Sequence, residues 1–237
     1  MRTTRLIVGT ISAALLGLAP IAIASPSSAT ENLTATVTAT PSTTAVKYGD
    51  DLYVSVALTG SDGRSVSYGN STLFALEAGA AAWVPVATSE YASSTFYDVK
   101  PAANTQYKVV YNGYAATSTY QNNYAAAESA PFTIGVARNV TIGKAKARLT
   151  IKGKVKPDYK KSKVKIQIKK GKKYKKFKTV KTDKKSKFQV RLPAARRGKK
   201  LYFKITVPGN DKFLAYSEVW YTYSYKAPLA RTVARRS

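Results

Sequence analysis

Small aliphatic and polar residues alternate along two runs in the second half of the chain, residues 149–156 and 163–169. The aliphatic or small members are Leu149, Ile151, Gly153, Val155, Val164, Ile166 and Ile168. Most of the residues between them are lysines. Because successive side chains of a strand point to opposite faces, each run predicts a β-strand with a buried aliphatic face and an outer row of ammonium groups.

The first half also has the pattern of β-structure. Residues 33–38 and 52–58 alternate, and a turn-rich passage separates them. Asp62 and Gly63 mark a further turn, because aspartate bonds its own backbone and glycine accepts a positive φ. No stretch after residue 30 shows a sustained helical period. The pattern therefore predicts an all-β protein.

The two halves match each other in their spacing. Trp83 and Val86 precede a phenylalanine and a Pro-Ala-Ala sequence, and so do Tyr174 and Phe177. Residues 107–113 align with 203–209, and residues 130–136 align with 219–225. About seven short strands in about 100 residues favour an antiparallel β-sandwich, here in two tandem copies.

Several segments carry a resemblance to a known family. They are Val37-Thr-Ala-Thr-Pro41, Tyr48-Gly-Asp50 and Trp83-Val-Pro-Val86 in the first copy, and Lys154-Val-Lys-Pro157 and Thr179-Val-Lys-Thr-Asp183 in the second. With these segments the chain resembles the immunoglobulin-like repeats of secreted and surface proteins of Gram-positive bacteria, particularly actinobacteria. The resemblance implies an immunoglobulin-like fold for each copy and a non-catalytic role as spacer, adhesive or wall-associated module.

The first residues have the pattern of a secretory signal. Arg2 and Arg5 precede an apolar run, and small residues offer cleavage points near residue 24 or residue 29. An uncleaved membrane anchor is the alternative, although Gly17 and Pro20 interrupt the run. We expect a signal peptide at 1–29, sandwiches at 30–137 and 138–226, and a disordered basic tail at 227–237.

The two copies differ strongly in net charge. Residues 138–237 contain 33 lysines and arginines and four acidic residues, whereas residues 30–137 contain four basic and eight acidic residues. The whole chain has a formal charge of +27. A domain with this excess of one sign repels itself, so solubility alone accounts for it poorly, and we expect it to meet an anionic partner.

The predicted polyanion-binding residues come from the second copy. They are Lys152, Lys154, Lys163, Lys165, Lys169, Lys170, Lys172, Lys173, Lys175, Lys176, Lys178, Lys184, Lys185, Arg196, Arg197, Lys199 and Lys200. The alternative is that these lysines only keep the strands soluble and guard their edges. Lysine outnumbers arginine 25 to 8 after residue 137, which favours loose attraction to a charged polymer over base-specific recognition.

Three local features complete the pattern. We expect a hairpin turn near Gly171 and, because Tyr174, Phe177 and Val180 recur every three residues, a bulge or irregular edge after it. Trp220 would face outwards as a stacking residue if its neighbours point inwards; the alternative is that it packs against protein. Trp83 is expected in the core.

Most enzyme classes lack their usual residues here. The chain contains no cysteine and no histidine, which removes disulfides, thiol nucleophiles, Ser-His-Asp triads and the usual zinc sites. The acidic residues show no motif spacing. We therefore expect no catalytic residue, no metal site and no cofactor.

The sequence favours a non-catalytic exported protein that is retained non-covalently at the cell envelope or released. Its basic copy would associate with anionic polymers, namely teichoic-type wall polymers, extracellular DNA or anionic lipid headgroups. Its first copy would act as spacer or adhesive module. The alternatives are a secreted nucleic-acid- or membrane-binding protein and, less favoured, a carbohydrate-active enzyme, which would require two facing carboxylates.

Overall fold

A computed structural model describes residues 30–147, 149–194 and 200–223. All regular structure in these ranges is β, as the alternation predicts. None of the described residues belongs to a helix long and apolar enough to cross a membrane. The predicted signal peptide and basic tail lie outside the described residues.

Eleven strands lie in residues 30–137, which we call the N-terminal region. They are β1 (Asn32–Leu33), β2 (Ala35–Pro41), β3 (Ala45–Lys47), β4 (Leu52–Gly60), β5 (Ser71–Glu77), β6 (Val84–Ser89), β7 (Ser94–Val99), β8 (Thr105–Tyr111), β9 (Asn123–Tyr124), β10 (Ala127–Glu128) and β11 (Phe132–Ala137). One sheet has the order β2-β4-β7, and a larger one has the order β3-β11-β8-β5-β6, with β10 also paired to β8. Strands β1 and β9 form a separate pair.

Residues 139–223 are called the C-terminal region, and their described part contains seven strands. They are β12 (Asn139–Lys144), β13 (Thr150–Lys156), β14 (Lys163–Lys170), β15 (Lys173–Lys181), β16 (Lys187–Arg191), β17 (Lys200–Val207) and β18 (Tyr216–Tyr223). Their two sheets have the orders β12-β13-β16 and β15-β14-β17-β18.

The two regions share one strand order. The three-stranded sheets β2-β4-β7 and β12-β13-β16 correspond, and β6-β5-β8-β11 corresponds to β15-β14-β17-β18. Trp83 and Tyr174 fall beside or within the corresponding strands β6 and β15, which agrees with their alignment in the sequence. The two copies that match in sequence therefore also share their strand topology.

Each region encloses its own core between two sheets. In the N-terminal region Val54 and Leu58 of one sheet and Leu73, Val109 and Ile134 of the other belong to one buried cluster. In the C-terminal region the cluster joins residues of β13 and β16 to residues of β14 and β17. This arrangement is a β-sandwich, because two apolar sheet faces bury each other.

Two strand pairs are parallel and add to the antiparallel sandwich that the sequence predicts. Strand β3 runs parallel to the end of β11, with Val46 opposite Val136, and β1 runs parallel to β9. Pro41, at the end of β2, has no N–H for continued pairing, so the chain leaves the first sheet there. After this crossing, β3 joins the second sheet beside its last strand.

Only Arg138 separates β11 from β12. The loop between β17 and β18 reaches back across this joint, where Phe213 packs in a small cluster with Ala103 and Val136. Backbone Leu214 N–H donates to the Val136 carbonyl at 2.8 Å. The joint is therefore held by apolar packing and backbone hydrogen bonds.

The guanidinium of Arg138 is enclosed at this joint. It lies 4.1 Å from the ring centroid of Phe213 and 4.8 Å from that of Tyr159, and only 5% of the residue is exposed. Burial lowers the pKa of Arg138. The two rings thus take the place of solvent around the cation, as cation–π contacts do in desolvated settings.

Candidate anion-binding surfaces

Strand β14 presents its lysines on the outer face of the four-stranded sheet. Its aliphatic residues are buried in the C-terminal core, and its exposed outward lysines are Lys163, Lys165 and Lys169. The alternation in the sequence therefore predicts correctly which side chains of this strand meet solvent.

The edge strand β15 follows a turn at Gly171 and contains a bulge, both as expected. Gly171 has a φ of +62°, a conformation that glycine adopts at little cost. Ile166 pairs with Lys178 and the next residue, Gln167, pairs with Lys176, so Phe177 has no partner. Between the bulge and the turn, the side chains of β15 that face outwards are therefore those that a regular strand would turn inwards.

Lysines and tyrosines occupy this outer face together. Lys200 Nζ lies 4.6 Å from the ring centroid of Tyr221 and 5.6 Å from that of Tyr223. A hydrogen bond with Tyr223 is the main cause that raises the pKa of Lys200, so its ammonium form is favoured. The other two pairs are Lys169 with Tyr202 at 5.4 Å and Lys204 with Tyr174 at 5.3 Å.

A hollow of about 510 Å³ lies at the centre of the same face. Gln167 lies between Lys176 of β15 and Lys204 of β17 in the register of the sheet. Thr206 Oγ1 and Ser217 Oγ are 3.3 Å apart on the neighbouring strands. The lining residues are Lys165, Gln167, Lys176, Thr179, Lys204, Thr206 and Ser217.

A second basic surface lies on the three-stranded sheet of the C-terminal region. Lys154 is directly opposite Lys187, and like charges in that position destabilise a sheet. A hollow of about 790 Å³ opens beside them and reaches Tyr48 of the N-terminal region. The lysines that line it are Lys154, Lys156, Lys160, Lys184, Lys185 and Lys187.

Asp183 orders the turn that carries three of these lysines. Its Oδ1 accepts hydrogen bonds from the backbone N–H groups of Lys185 and Lys187, each at 2.8 Å. The bond from Lys187 is the largest cause that lowers the pKa of Asp183. This carboxylate thus stabilises the backbone of the turn through two hydrogen bonds. Its negative charge also lies close to Lys185 and Lys187.

Few of the cations are neutralised by carboxylates. Among the described residues three ion pairs occur, Lys160–Asp158 at 2.6 Å, Lys108–Glu128 at 2.7 Å and Lys47–Glu218 at 3.3 Å. None of them involves a lysine of β13, β14, β15 or β17. The acidic N-terminal region therefore leaves the lysine rows uncompensated.

The predicted polyanion-binding residues fall on different sides of the sandwich. Lys152 and Lys154 lie on the three-stranded sheet, whereas Lys163, Lys165, Lys169, Lys176 and Lys200 belong to the four-stranded sheet. Lys170, Lys172 and Lys173 lie at the hairpin turn, Lys175 and Lys178 on the edge strand β15, and Lys184 and Lys185 in the turn before β16. Arg196, Arg197 and Lys199 lie outside the described residues.

The sequence prediction omitted several residues that complete these surfaces. Lys156, Lys187 and Lys204 line the hollows, and their alternation with buried neighbours was a usable signal. Gln167, Thr179, Thr206 and Ser217 had no such signal. Their positions in one hollow depend on the pairing of four strands.

Trp220 follows the alternative of packing against protein, whereas Trp83 departs from its expected position. Trp220 packs against the C-terminal core, whereas Val219 and Tyr221 beside it are exposed. The face of β18 is thus the reverse of the one that would make Trp220 a stacking residue. Trp83 is only partly buried and lies under Lys108 Nζ, 5.3 Å from the ring, so its expected core position is wrong.

The described residues offer little for metal or acid–base chemistry. They contain no cluster of three or more acidic, histidine or cysteine side chains suited to a metal. In each of five hollows of the described surface, the lining contains at most one carboxylate. A pair of acids facing across a groove is not present in these hollows.

No family model matches the chain, and no curated protein matches its sequence. Among solved structures, it is similar to a tetra-tandem repeat from the extending region of a large adhesion protein, with 12% identity and a TM-score of 0.32 over 80% of this chain. It is also similar to a 1.5-MDa bacterial ice-binding adhesin, with 10% identity and a TM-score of 0.27 over 83% of this chain. The chain spans 49% of the first structure and 66% of the second.

A similarity at a comparable level extends to the ligand-binding domain of human OSCAR. The identity is 12% and the TM-score 0.23, with 81% of this chain and 98% of that structure covered. Similarities of this strength do not identify a ligand or a function.

Proposed function

We propose that the chain is a non-catalytic, exported binding protein of two immunoglobulin-like domains, residues 30–137 and 138–226. The second domain associates with anionic polymers of the cell envelope or its surroundings. The first domain serves as a spacer or adhesive module that this attachment holds in place. The shared strand order of the two regions supports the division into domains.

The observation that best supports the proposal is that carboxylates do not neutralise the lysine rows. Lysines cover both sheets and one edge of the C-terminal sandwich, and the strands β13, β14, β15 and β17 contribute no ion pair among the described residues. Such a surface keeps a strong positive field that attracts a flexible polyanion. Solubility alone would require far fewer charges.

The same distribution supports a polymer rather than a small anionic ligand. The basic hollows lie on opposite sheets, so a small ion would engage only one of them. A long chain can wrap around the sandwich and meet both. Lysine, a point charge on a flexible stem, suits this kind of contact.

The test is retention of the full chain on purified Gram-positive cell wall over a series of salt concentrations. Binding is expected at low salt, with an affinity that falls by about tenfold or more between about 50 and about 200 mM salt, since polyelectrolyte contacts release counterions. Wall stripped of its phosphate polymers is the matched control and should retain much less protein. No binding at low salt, or retention that salt does not change, contradicts the proposal.

A further inference from the structure

We infer that the hollow at the centre of the four-stranded sheet is a site for a phosphate diester of a polyol-phosphate polymer. This inference rests on the proposed function and assigns one site and one class of polymer to it. The site is the set of seven residues that line the hollow of about 510 Å³ on the outer face of β15-β14-β17-β18.

The charge of the hollow matches a phosphate. Lys165, Lys176 and Lys204 come from three adjacent strands, and no acidic residue belongs to the lining. None of these lysines forms an ion pair among the described residues. Ammonium groups bind phosphate oxygens through short, charge-assisted hydrogen bonds, and this hollow offers three of them.

The other lining residues can form hydrogen bonds with hydroxyl groups of a ligand. Thr179, Thr206, Ser217 and Gln167 supply side chains that can both donate and accept hydrogen bonds. An inorganic phosphate chain has no fixed donors for these acceptors, whereas a polyol phosphate has hydroxyls beside its phosphates. A neutral sugar lacks the negative charge for the lysines. A polymer with both groups satisfies the whole lining.

The tyrosines of this face argue against a nucleic acid. Stacking on single-stranded bases needs exposed aromatic faces. Tyr202 and Tyr221 are exposed, but an ammonium group already lies over each ring, at 5.4 and 4.6 Å from the ring centroid, as one does over Tyr174 at 5.3 Å. Trp220, on the same strand as Tyr221, packs inwards. The face thus offers cations and hydroxyls more than bare rings.

The first experiment compares two triple variants of the full chain with equal loss of charge. K165Q/K176Q/K204Q empties the hollow of ammonium groups, whereas K144Q/K146Q/K161Q removes three exposed lysines that line neither basic hollow. With poly(glycerol phosphate) as the probe in isothermal titration, the first variant should bind about tenfold or more weakly, because it loses three charge-assisted contacts. The second should show a much smaller loss.

The outcomes separate the site from the function. Equal losses in the two variants would overturn the site and leave the general association with polyanions intact. Failure of the unaltered chain to bind the probe at low salt would overturn both. Thermal midpoints of all three proteins check that each is folded.

A second experiment tests the class of polymer. The double variant T179V/T206V keeps the shape and β-branching of both side chains but removes their hydroxyls, so its fold should persist. It should bind poly(glycerol phosphate) several-fold more weakly than the unaltered chain, since two polar partners are lost. Equal affinity of the variant and the unaltered chain would contradict a role for the hydroxyls.

Two further probes of equal charge complete the comparison. The unaltered chain should bind poly(glycerol phosphate) more tightly than inorganic polyphosphate or single-stranded DNA at the same salt concentration. Tighter or equal binding of polyphosphate would mean that charge alone decides the interaction. Tighter or equal binding of DNA would assign the face to nucleic acid. Either result overturns the inference.

Discussion

Lys176 lies opposite Gln167 because Phe177 is an extra residue that β14 does not match. Counting in twos from Thr179, which pairs with Lys165, would place Phe177 on the outer face and turn Lys176 towards the core. The bulge reverses this order. One unmatched aromatic residue thus brings an ammonium group into the central hollow.

Two deletions separate the effect of the bulge on binding from the effect of the residue composition of β15. Deleting Lys175 allows a regular ladder in which Phe177 takes the place opposite Gln167 and Lys176 turns inwards. Deleting Phe177 also gives a regular ladder but leaves Lys176 in place. We expect the first deletion to weaken binding of poly(glycerol phosphate) by about tenfold, the value of one charge-assisted contact.

The matched control for this pair is the Phe177 deletion combined with K175Q, which equalises the charge. It should retain most of the affinity in the same titration. Similar affinities for both proteins would show that the facing of Lys176 is unimportant.

Gly153 is covered by the ring of Phe188, its partner across β13 and β16. A Cβ at residue 153 would lie 2.4 Å from Phe188 Cζ and 2.9 Å from Ile142 Cδ1, closer than atoms can approach. Because the ring is buried, G153A should lower the free energy of unfolding by about 1–3 kcal/mol, the usual cost of overpacking. Denaturant titration of the full chain measures the change.

Gly143 supplies the control for this substitution. A Cβ there meets Lys152 Cε at 3.7 Å, which is ordinary contact, so G143A should change stability little. The double variant G153A/F188L should regain part of the loss, because leucine vacates the space of the ring. An equal effect of G143A and G153A would contradict the steric explanation.

Asp183 should make the stability of the chain depend on acid pH. Hydrogen bonds from Lys187 and then Lys185 lower its pKa in the folded protein below the ordinary value of 3.8. Its stabilisation is therefore complete above the ordinary pKa and is lost as pH falls through the folded value. D183N should have a lower thermal midpoint than the unaltered chain at neutral pH, and the difference should shrink in strong acid.

Asp211 is a suitable control for this pH series. Its side chain forms no hydrogen bond or ion pair among the described residues. D211N should therefore leave the shape of the pH profile unchanged. A gap between D183N and the unaltered chain that stays constant into strong acid would show that the turn does not depend on the ionised carboxylate.

Tyr107 should contribute a loss of stability in alkali. Burial raises its pKa to about 12, from an ordinary value of 10.0. A raised pKa favours the protonated phenol, so its stabilisation is complete below the ordinary pKa and is lost as pH rises through the folded value. Thermal midpoints of Y107F should therefore fall less steeply between pH 10.0 and about 12 than those of the unaltered chain.

Deprotonation of the many lysines in the same range affects both proteins, so the difference between their curves isolates Tyr107. Parallel curves would mean that the phenol stays protonated or ionises without cost. The exposed Tyr97 provides a matched control, and Y97F should run parallel to the unaltered chain.

The strands that were easiest to predict are those whose outer positions are mostly lysine. In β13 and β14 only one face is apolar, so the alternation admits a single orientation of the strand. The three-residue spacing of Tyr174, Phe177 and Val180 likewise predicted a bulge, because a regular strand repeats every two residues. These features depend on local backbone geometry, which the order of residues reveals directly.

Strand β18 shows where this reasoning fails. It alternates Tyr216, Glu218 and Trp220 with Val219 and Tyr221, so both faces contain aromatic residues. Hydrophobic pattern alone gives no preferred face for such a strand. Packing against the C-terminal core selected Trp220 for the inner side.

The order of residues by itself determined the all-β class, the duplicated strand pattern, the hairpin at Gly171 and the outward lysines of β13 and β14. Tertiary structure decided which lysines became neighbours, where Thr206 and Ser217 meet, and how Phe213 closes the joint against Val136. The physical reason is the separation along the chain of the residues that interact. Alternation arises within each strand from its own backbone, whereas a hollow or a joint depends on contacts between strands that are far apart in the chain.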